Sequence, residues 1–212
     1  MDEQFAEFIG IFMGDGSLNI REHKHSYEFK FTGNLKDEIP YFENHVAILG
    51  GHVLKRKIIA KILDGGRSVG LYFCSKSLAN TFRLLGINSG PKSEKLFIPR
   101  DIAENKKFLI AFIRGIFDTD GCLTLKKNGR YPVITIAMKA RKLLEQIKMG
   151  LEGFGIKSCI SFDVAYLDKR NGKTYTKHYL SINGRTRIMQ WFEIIGSNNP
   201  KIIKKYQNIK KV

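Results

Sequence analysis

The segment FIGIFMGDGSL, residues 8–18, is an apolar run that ends in an aspartate and a glycine. A second segment with the same outline, IRGIFDTDGCL, occupies residues 113–123, displaced by 105 residues. Between Ala6 and Leu18, seven of the thirteen residues are identical to their partners at this offset. Agreement at so long a period is typical of a duplicated unit. The sequence therefore predicts two related halves, each built around a hydrophobic helix whose last turn holds an acid.

The two halves keep the same pattern after these helices. Alternation predicts two strands in each half, with Leu18 and Ile20 on one face of the first strand and Ser17, Asn19 and Arg21 on the other. A second helix, two more strands and a closing amphipathic helix then follow. The predicted ranges are helices 37–49 and 139–154, closed by Gly50 and Gly155, strands 52–63, 69–74, 157–167 and 175–182, and final helices 77–86 and 187–196.

This order of elements predicts an α/β protein of the α+β type, with two pseudo-symmetric αββαββα subdomains and antiparallel sheets. Residues 1–99 form the first predicted repeat with its linker, and residues 100–212 form the second.

The bulk charge points to a polyanionic partner. Lys and Arg number 36 against 20 Asp and Glu, which gives a formal net charge of +16. A Lys-rich thermophilic surface is the alternative, but such surfaces usually carry matching acids, so nucleic acid is favoured.

The chain carries no predicted membrane or secretion segment, because no run approaches roughly 18 apolar residues and the start is acidic. An intracellular location, cytoplasmic or organellar, is expected. Cys74, Cys122 and Cys159 lie far apart, so we expect free thiols in a reducing compartment, as small core or sheet residues.

Small residues recur every fourth position along both repeated helices: Ala6, Gly10 and Gly14 in the first, Ala111, Gly115 and Thr119 in the second. This spacing places them on one helix face. Glycine inside a helix costs about 1 kcal/mol relative to alanine, and close contact with another helix can compensate for it. We therefore predict that the two helices pack side by side, with Phe8, Ile9, Phe12, Ile113, Ile116 and Phe117 anchored in their own cores.

Such packing brings Asp15 and Asp120 together at the helix ends. Two unit charges about 4 Å apart repel by ~4 kcal/mol at an effective dielectric near 20, and a divalent cation would reverse the sign. Oxygen ligands suit Mg²⁺, and a basic protein with paired carboxylates suggests metal-assisted phosphodiester hydrolysis. The alternative is that each Asp-Gly pair merely closes a helix and begins a hairpin.

Residues 8–16, FIGIFMGDG, and 113–121, IRGIFDTDG, resemble the nine-residue signature of the LAGLIDADG homing endonucleases, and the resemblance covers nearly the whole chain. It implies a saddle of two sheets astride the DNA major groove and a staggered double-strand cut. It also implies that Asp15 and Asp120 bind metal, and Gly14 and Thr119, which precede them, are included in the predicted metal site. Asp118 matches the signature's earlier acid, where the first repeat has Met13, and we expect it to have a structural or capping role.

The supporting residues are asymmetric. The family often has Gln or Lys just after the second strand; here only Lys139 fits, since the first repeat offers Gly33 and Asn34. Lys92 and Lys201, in the two Pro-Lys pairs, resemble the family's basic residues near the scissile phosphates, although a lysine at a helix exit is also a common solvated residue. The catalytic prediction is therefore Asp15, Asp120, Lys92, Lys201 and Lys139.

Strand faces that do not pack on helices are expected to meet DNA or solvent. Arg and Asn can read base edges and Lys mostly holds phosphate. His23 and His25 are expected in a turn, and Trp191 in the core. The predicted DNA-binding residues are Asn19, Arg21, His23, Lys30, Arg56, Arg67, Tyr72, Thr124, Lys126, Arg130, Thr135, Arg170, Lys173, Lys177 and Tyr179.

The favoured function is a monomeric, intron-encoded, site-specific double-stranded DNA endonuclease that uses Mg²⁺. Mn²⁺ is expected to substitute, and Ca²⁺ to support binding without cleavage, on a long pseudo-palindromic or asymmetric site. One alternative is a catalytically silent RNA maturase or DNA-binding regulator on the same scaffold. Another is a basic structural RNA-binding protein, which would leave the paired motifs unexplained.

Overall fold

The computed structural model describes residues 1–90, 94–126, 131–168 and 172–210. The first half contains helix α1 (Glu3–Asp15), strands β1 (Gly16–Arg21) and β2 (Ser26–Asn34), α2 (Ile39–Tyr41), a π-helical segment (Phe42–Val46), α3 (Ala47–Leu54), β3 (Lys61–Leu63), β4 (Ser68–Cys74) and α4 (Lys76–Leu84). The second half contains α5 (Arg100–Ala103), α6 (Lys106–Asp120), β5 (Gly121–Lys126), β6 (Tyr131–Met138), α7 (Arg141–Gly153), β7 (Cys159–Asp168), β8 (Lys173–Asn183), α8 (Arg185–Ile194) and α9 (Pro200–Lys210).

The strands form two antiparallel four-stranded sheets of matching topology, in the orders β1-β2-β4-β3 and β5-β6-β8-β7. Gly16 pairs with Phe31 in the first sheet and Gly121 with Ile136 in the second, so the internal duplication holds at the level of strand register. The predicted α+β fold with two related subdomains is confirmed.

Each sheet packs one face against helices. In the first half the Phe8 ring packs at a tilt against the Phe31 ring, with centroids 4.9 Å apart, and Phe12 contacts Phe29 and Phe82. Trp191, which is fully buried as predicted, makes an edge contact with Phe117 in the second half. Aromatic contacts of this kind favour burial of large apolar area, and here they fix each repeated helix on its own sheet.

The prediction of a helix closed at Gly50 and a strand from His52 to Leu63 is wrong. Helix α3 continues through Gly50 and Gly51 to Leu54 and ends at Lys55 in the left-handed conformation, φ 50°. Gly50 is a packing position rather than a helix end, because a Cβ atom there would lie 3.2 Å from Leu71 Cδ1. Only Lys61–Leu63 of the predicted range is a strand.

Two helices were not predicted. The short helix α5 lies in the expected linker, and α9 begins at the second Pro-Lys pair. The three cysteines are free and lie on strands, which confirms the expectation of free thiols in sheets. All three are exposed, so the alternative expectation that they are core residues is wrong. Within the described ranges, no helix combines the length and apolar character needed to cross a membrane.

Candidate functional site

The closest packing between the two halves is that of helix α1 against helix α6. A Cβ atom at Gly10 would lie 2.2 Å from the carbonyl oxygen of Phe112, and one at Gly115 would lie 2.4 Å from the carbonyl oxygen of Glu7. Any side chain at either position would collide with backbone, which cannot move aside as a flexible side chain can. The glycines therefore allow the helix axes to approach closely, as their spacing predicts.

The contact extends to the last turn of both helices. A Cβ atom at Gly14 would lie 2.1 Å from Thr119 Oγ1 and 3.4 Å from Asp120 Oδ2. The Asp120 carboxylate thus lies beside the residue that precedes Asp15 in the chain. Thr119 is held in place because its hydroxyl donates to the carbonyl oxygens of Gly115 and Ile116, at 3.0 Å each. The structure therefore brings the ends of the two repeated helices, each terminating in an acid, to one place.

The donor set at this place fits a hard cation. Asp15 and Asp120 are the last residues of α1 and α6, and each is followed by the first residue of a strand. Among the described residues, no group of three or more His, Cys, Asp or Glu side chains is arranged to hold a metal. Two carboxylates supplemented by other oxygens suit Mg²⁺ better than Zn²⁺, which prefers nitrogen and sulfur ligands.

A buried polar network connects the two halves. Its members on α1 and α6 lie more than one helical turn before Asp15 and Asp120. Glu7, 4% exposed, accepts hydrogen bonds at Oε2 from Arg114 Nη2 (2.8 Å) and Nε (3.1 Å). Its Oε1 contacts His45 Nε2 at 2.6 Å and accepts from Asn198 Nδ2 at 2.7 Å. Burial raises the pKa of Glu7, but hydrogen bonds and positive charge from His45 and Arg114 outweigh it, so the pKa is lowered overall.

Asp118 is also buried, at 2% exposure, and joins α6 to the segment before α9. Its carboxylate accepts from the Ser197 hydroxyl and, at 2.8 Å, from the backbone N–H of Asn198, while its backbone carbonyl accepts from Asn199 Nδ2 at 2.9 Å. Burial raises the pKa of Asp118 to about 7 against the opposing effect of these hydrogen bonds. These contacts match the structural role expected for Asp118.

Tyr41 lies in the same region with its ring buried and its hydroxyl without a hydrogen-bond partner among the described residues. Burial, followed by the charges of Asp118, Glu7 and Asp15, raises the pKa of Tyr41 well above its ordinary value. The Tyr41 ring stacks on His45, a neighbour of Glu7, with ring centroids 5.6 Å apart, and its phenol stays neutral.

The predicted catalytic lysines occupy different surroundings. Lys201 lies in the first turn of α9, and its Nζ is 3.1 Å from Asp37 Oδ2 of the first half. Lys139 follows β6 immediately, and its Nζ lies 5.4 Å from the ring centroid of Tyr175. Lys92 falls outside the described residues, as do Arg130 and Arg170 of the DNA-binding set.

Most of the remaining predicted DNA-binding residues lie on the sheet faces that point away from the helices. The strand pairings place Lys30 opposite Tyr72, and Thr135 opposite both Cys122 and Ser181. By alternation from these pairs, this open face carries Asn19, Arg21, Lys30, Tyr72, Thr124, Lys126, Thr135, Lys173, Lys177 and Tyr179.

Three residues of the set lie elsewhere. His23 is in the 3₁₀ turn Glu22–Lys24, and Arg67 is in the β3–β4 connection, where its Nε donates to the Asp64 carbonyl at 2.9 Å. Arg56 was assigned to a strand, which is wrong, because it lies between α3 and β3, with Nη2 donating to the Cys74 carbonyl at 3.2 Å.

Some open-face cations are paired with acids in the free protein. Arg21 contacts Glu28, and Lys30 contacts Asp64, both across neighbouring strands or turns. The Lys30 and Asp64 side chains are 36% and 39% exposed, so this pair can exchange partners at little cost.

Sequence reasoning did not predict the buried network or the Asp37 contact. One signal was present: Glu7 and Arg114 each stand inside an otherwise apolar helix, and a charge in such a position requires a partner. Nothing in the local sequence identifies that partner, because Glu7 and Asn198 are 191 residues apart.

Comparison with known proteins gives a consistent result. Residues 107–196 match the model of the LAGLIDADG-like domain. The chain is 27% identical over 208 residues to the replication factor C small subunit of Methanocaldococcus jannaschii. The matched region covers 98% of this chain but only 10% of that relative. The chain therefore spans about a tenth of the length of this relative.

Solved structures share the whole fold. I-DmoI in complex with DNA and Ca matches with a TM-score of 0.68 at 23% identity, covering 97% of both chains. I-DmoI with DNA and Mn matches with a TM-score of 0.64 at 25% identity, covering 92% of this chain and 96% of that one. Full-length DUF199/WhiA from Thermatoga maritima matches with a TM-score of 0.54 at 17% identity, covering 99% of this chain and 58% of that one.

Proposed function

We propose that this chain, which shares the two-repeat fold of I-DmoI and whose residues 107–196 match the LAGLIDADG-like domain, is a homing endonuclease that hydrolyses a phosphodiester on each strand of double-stranded DNA. One observation carries the proposal: two helices that each end in an aspartate meet through Gly10 and Gly115, so that their last turns lie together. Two carboxylates at the joined C-terminal ends of two helices are disfavoured by both helix macrodipoles, and a bound cation would offset that cost.

Asp15 and Asp120 would hold the metal, with Gly14 and Thr119 beside them. A bound divalent cation supplies a more acidic water and stabilises the charge that develops on phosphate oxygens. Mg²⁺ is the proposed ion, with Mn²⁺ as a substitute and Ca²⁺ as an ion that supports binding alone. The complexes of I-DmoI with DNA and Ca or Mn support this choice.

The chain's own residues then bind and orient the DNA. The open faces of the two sheets carry the predicted contacts, and the net charge of +16 favours a polyanion. With two related sheets in one chain, a monomer can span a long site that is pseudo-palindromic or asymmetric. Residues 1–99 and 100–212 would each contact one half-site.

Lys201 and Lys139 are proposed to place positive charge near the reacting phosphates, as Lys92 would in the first repeat. Charge that is already in position when negative charge develops on the phosphate lowers the barrier without further reorganisation.

The proposal is tested by incubating the protein with a randomised duplex library, in Mg²⁺ and separately in Ca²⁺, and sequencing the ends produced. We expect defined cuts in Mg²⁺ and none in Ca²⁺. Asp15→Asn and Asp120→Asn should each abolish cutting while binding in Ca²⁺ persists. Glu104→Gln, in the exposed ion pair between Arg100 and Glu104 at the end of α5, is the matched control and should cut like the wild type.

Binding in both ions without any cut would instead favour the alternative, a silent RNA maturase or DNA-binding regulator on the same scaffold. That alternative is credible because a fold does not by itself fix an activity. The intron-encoded origin and intracellular location stay predictions.

A further inference from the structure

The contact between Lys201 and Asp37 joins the start of α9 in the second repeat to the turn after β2 in the first. Both side chains are partly exposed, at 44% and 43%. A surface pair of this kind contributes little to stability. Its significance lies in where it places the ammonium group.

Lys201 is held from its own side by a chain of buried contacts. The buried Asn199 accepts at Oδ1 from the backbone N–H of Lys201 (3.1 Å), and its carbonyl accepts from Ile202 and Ile203, which fixes the start of α9. Asn199 is itself anchored, because its Nδ2 donates to the carbonyl of Asp118 on the catalytic helix α6. The backbone of Lys201 therefore moves with α6.

Asp37 is held equally firmly on the other side. It lies in a tight turn after β2, where its N–H and that of Glu38 donate to the Asn34 carbonyl at 3.3 and 3.0 Å. Glu38 closes the turn by accepting from the Asn34 N–H at 2.6 Å. Since Gly16 pairs with Phe31 near the end of β2, this turn lies at the same end of the sheet as Asp15.

The arrangement is one-sided. At the 105-residue offset, the counterpart of Asp37 is Lys142, which has the opposite charge. The second repeat therefore has no acid at this position to hold a lysine in the mirror-image contact.

From this juxtaposition we propose that Asp37 is a positioning residue, which holds Lys201 of the second repeat over the centre that contains Asp15 of the first. Lys201 thereby serves the DNA strand whose scissile phosphate lies nearer Asp15. The inference rests on the proposed nuclease function, and it assigns to Asp37 a role that its charge alone would not suggest, since an acid beside bound DNA repels phosphate.

The two effects of Asp37 on DNA can be tested separately, because its charge should weaken binding whereas its contact with Lys201 should speed cleavage. The duplex selected from the library is labelled on its two strands with different fluorophores, and nicking of each strand is followed in Mg²⁺ under single-turnover conditions. Binding is measured separately in Ca²⁺. The proteins are the wild type, Asp37→Asn, Lys201→Met, the double variant, Asp37→Glu, and the control Glu104→Gln.

We expect Asp37→Asn and Lys201→Met to slow nicking of the same strand by about tenfold to 100-fold, with the other strand little changed. The double variant should be no slower than Lys201→Met, because the acid acts through the lysine. Asp37→Asn should bind DNA as tightly as the wild type or more tightly, and Asp37→Glu should restore most of the rate.

Three results would overturn the inference without overturning the proposed nuclease function. Asp37→Asn could nick at the wild-type rate, or a variant could slow both strands equally. The double variant could also be slower than Lys201→Met by the full factor of Asp37→Asn. A wild type that binds but never nicks would overturn both the function and this inference.

Discussion

Arg114 of the second repeat holds Glu7 of the first through two hydrogen bonds to one carboxylate oxygen, at 2.8 and 3.1 Å. The two residues lie on the paired helices, so the contact fixes the rotation of one helix against the other. Asn198 donates to the second carboxylate oxygen, and His45 contacts the same atom, so both oxygens are occupied. A buried carboxylate with both oxygens partnered defines one arrangement of the two halves.

Removing one partner of this network should be strongly destabilising. Glu7→Gln leaves the Arg114 guanidinium partly buried without its counter-charge, which costs about 3–5 kcal/mol for a buried pair. Urea denaturation of Glu7→Gln, Arg114→Met and the double variant measures this cost. The double variant should be less destabilised than the sum of the singles, whereas strict additivity would show that the two residues do not interact.

The same network predicts a pH dependence of stability. The pKa of Glu7 in the folded protein is below its ordinary value of 4.5. Its ionised form therefore contributes stability above that pH, and this contribution is lost as pH falls through the folded pKa. Unfolding free energies measured from about pH 7 down to about pH 3 should fall more steeply for the wild type than for Glu7→Gln. Parallel curves would contradict the lowered pKa.

Close helix contact makes Gly10 intolerant of any side chain. A Cβ atom at this position would lie 2.2 Å from the Phe112 carbonyl oxygen, so Gly10→Ala must separate α1 from α6. We expect a loss of about 1–3 kcal/mol in unfolding free energy. Cleavage should fall by about 100-fold or more, because a displacement near 1 Å at the paired acids is costly.

Gly153, at the end of α7, is the matched control, since a Cβ atom there meets nothing within 4 Å. Gly153→Ala should raise stability by about 0.4–1 kcal/mol and leave cleavage unchanged. If both substitutions had the same effect on cleavage, the helix contact would not be what positions the acids.

The buried hydroxyl of Tyr41 predicts the sign of the stability change when it is removed. It has no hydrogen-bond partner among the described residues, so Tyr41→Phe removes an uncompensated polar group and should leave stability unchanged or raise it. Tyr27→Phe is the comparison, because the Tyr27 hydroxyl donates to Glu22 Oε2 at 2.8 Å. That variant should lose about 1 kcal/mol. A similar loss in Tyr41→Phe would reveal a bound water or other partner at the phenol.

The sequence could predict those features of the fold that depend on local periodicity. The repeat at 105 residues predicted the helix pair, because small residues four apart can lie only on one face and both copies had them. Strand alternation placed most of the open-face residues correctly for the same local reason. The helix through Gly50 and Gly51 was missed because tertiary packing against Leu71 overrides the helix-ending tendency of glycine.

Long-range polar contacts were beyond sequence reasoning. Asp37 and Lys201 are 164 residues apart, and Asp118 and Asn199 are 81 apart, so no periodic pattern relates them. Their meeting follows from the register of two sheets and the angle between helices, which depend on the whole core.

Salt dependence tests whether the open face of the second sheet contacts DNA. Lys177 lies on this face, with Nζ 5.2 Å from the ring centroid of Tyr166, whereas Lys148 lies on α7 and pairs with Glu152. If Lys177 neutralises one phosphate, Lys177→Gln should reduce the slope of log affinity against log salt by about 0.9. Lys148→Gln should leave the slope unchanged, because α7 packs on the opposite side of the sheet. Fluorescence anisotropy with a labelled duplex in Ca²⁺ at several salt concentrations measures both slopes. An unchanged slope for Lys177→Gln, or equal reductions in both variants, would mean that DNA lies elsewhere on the protein.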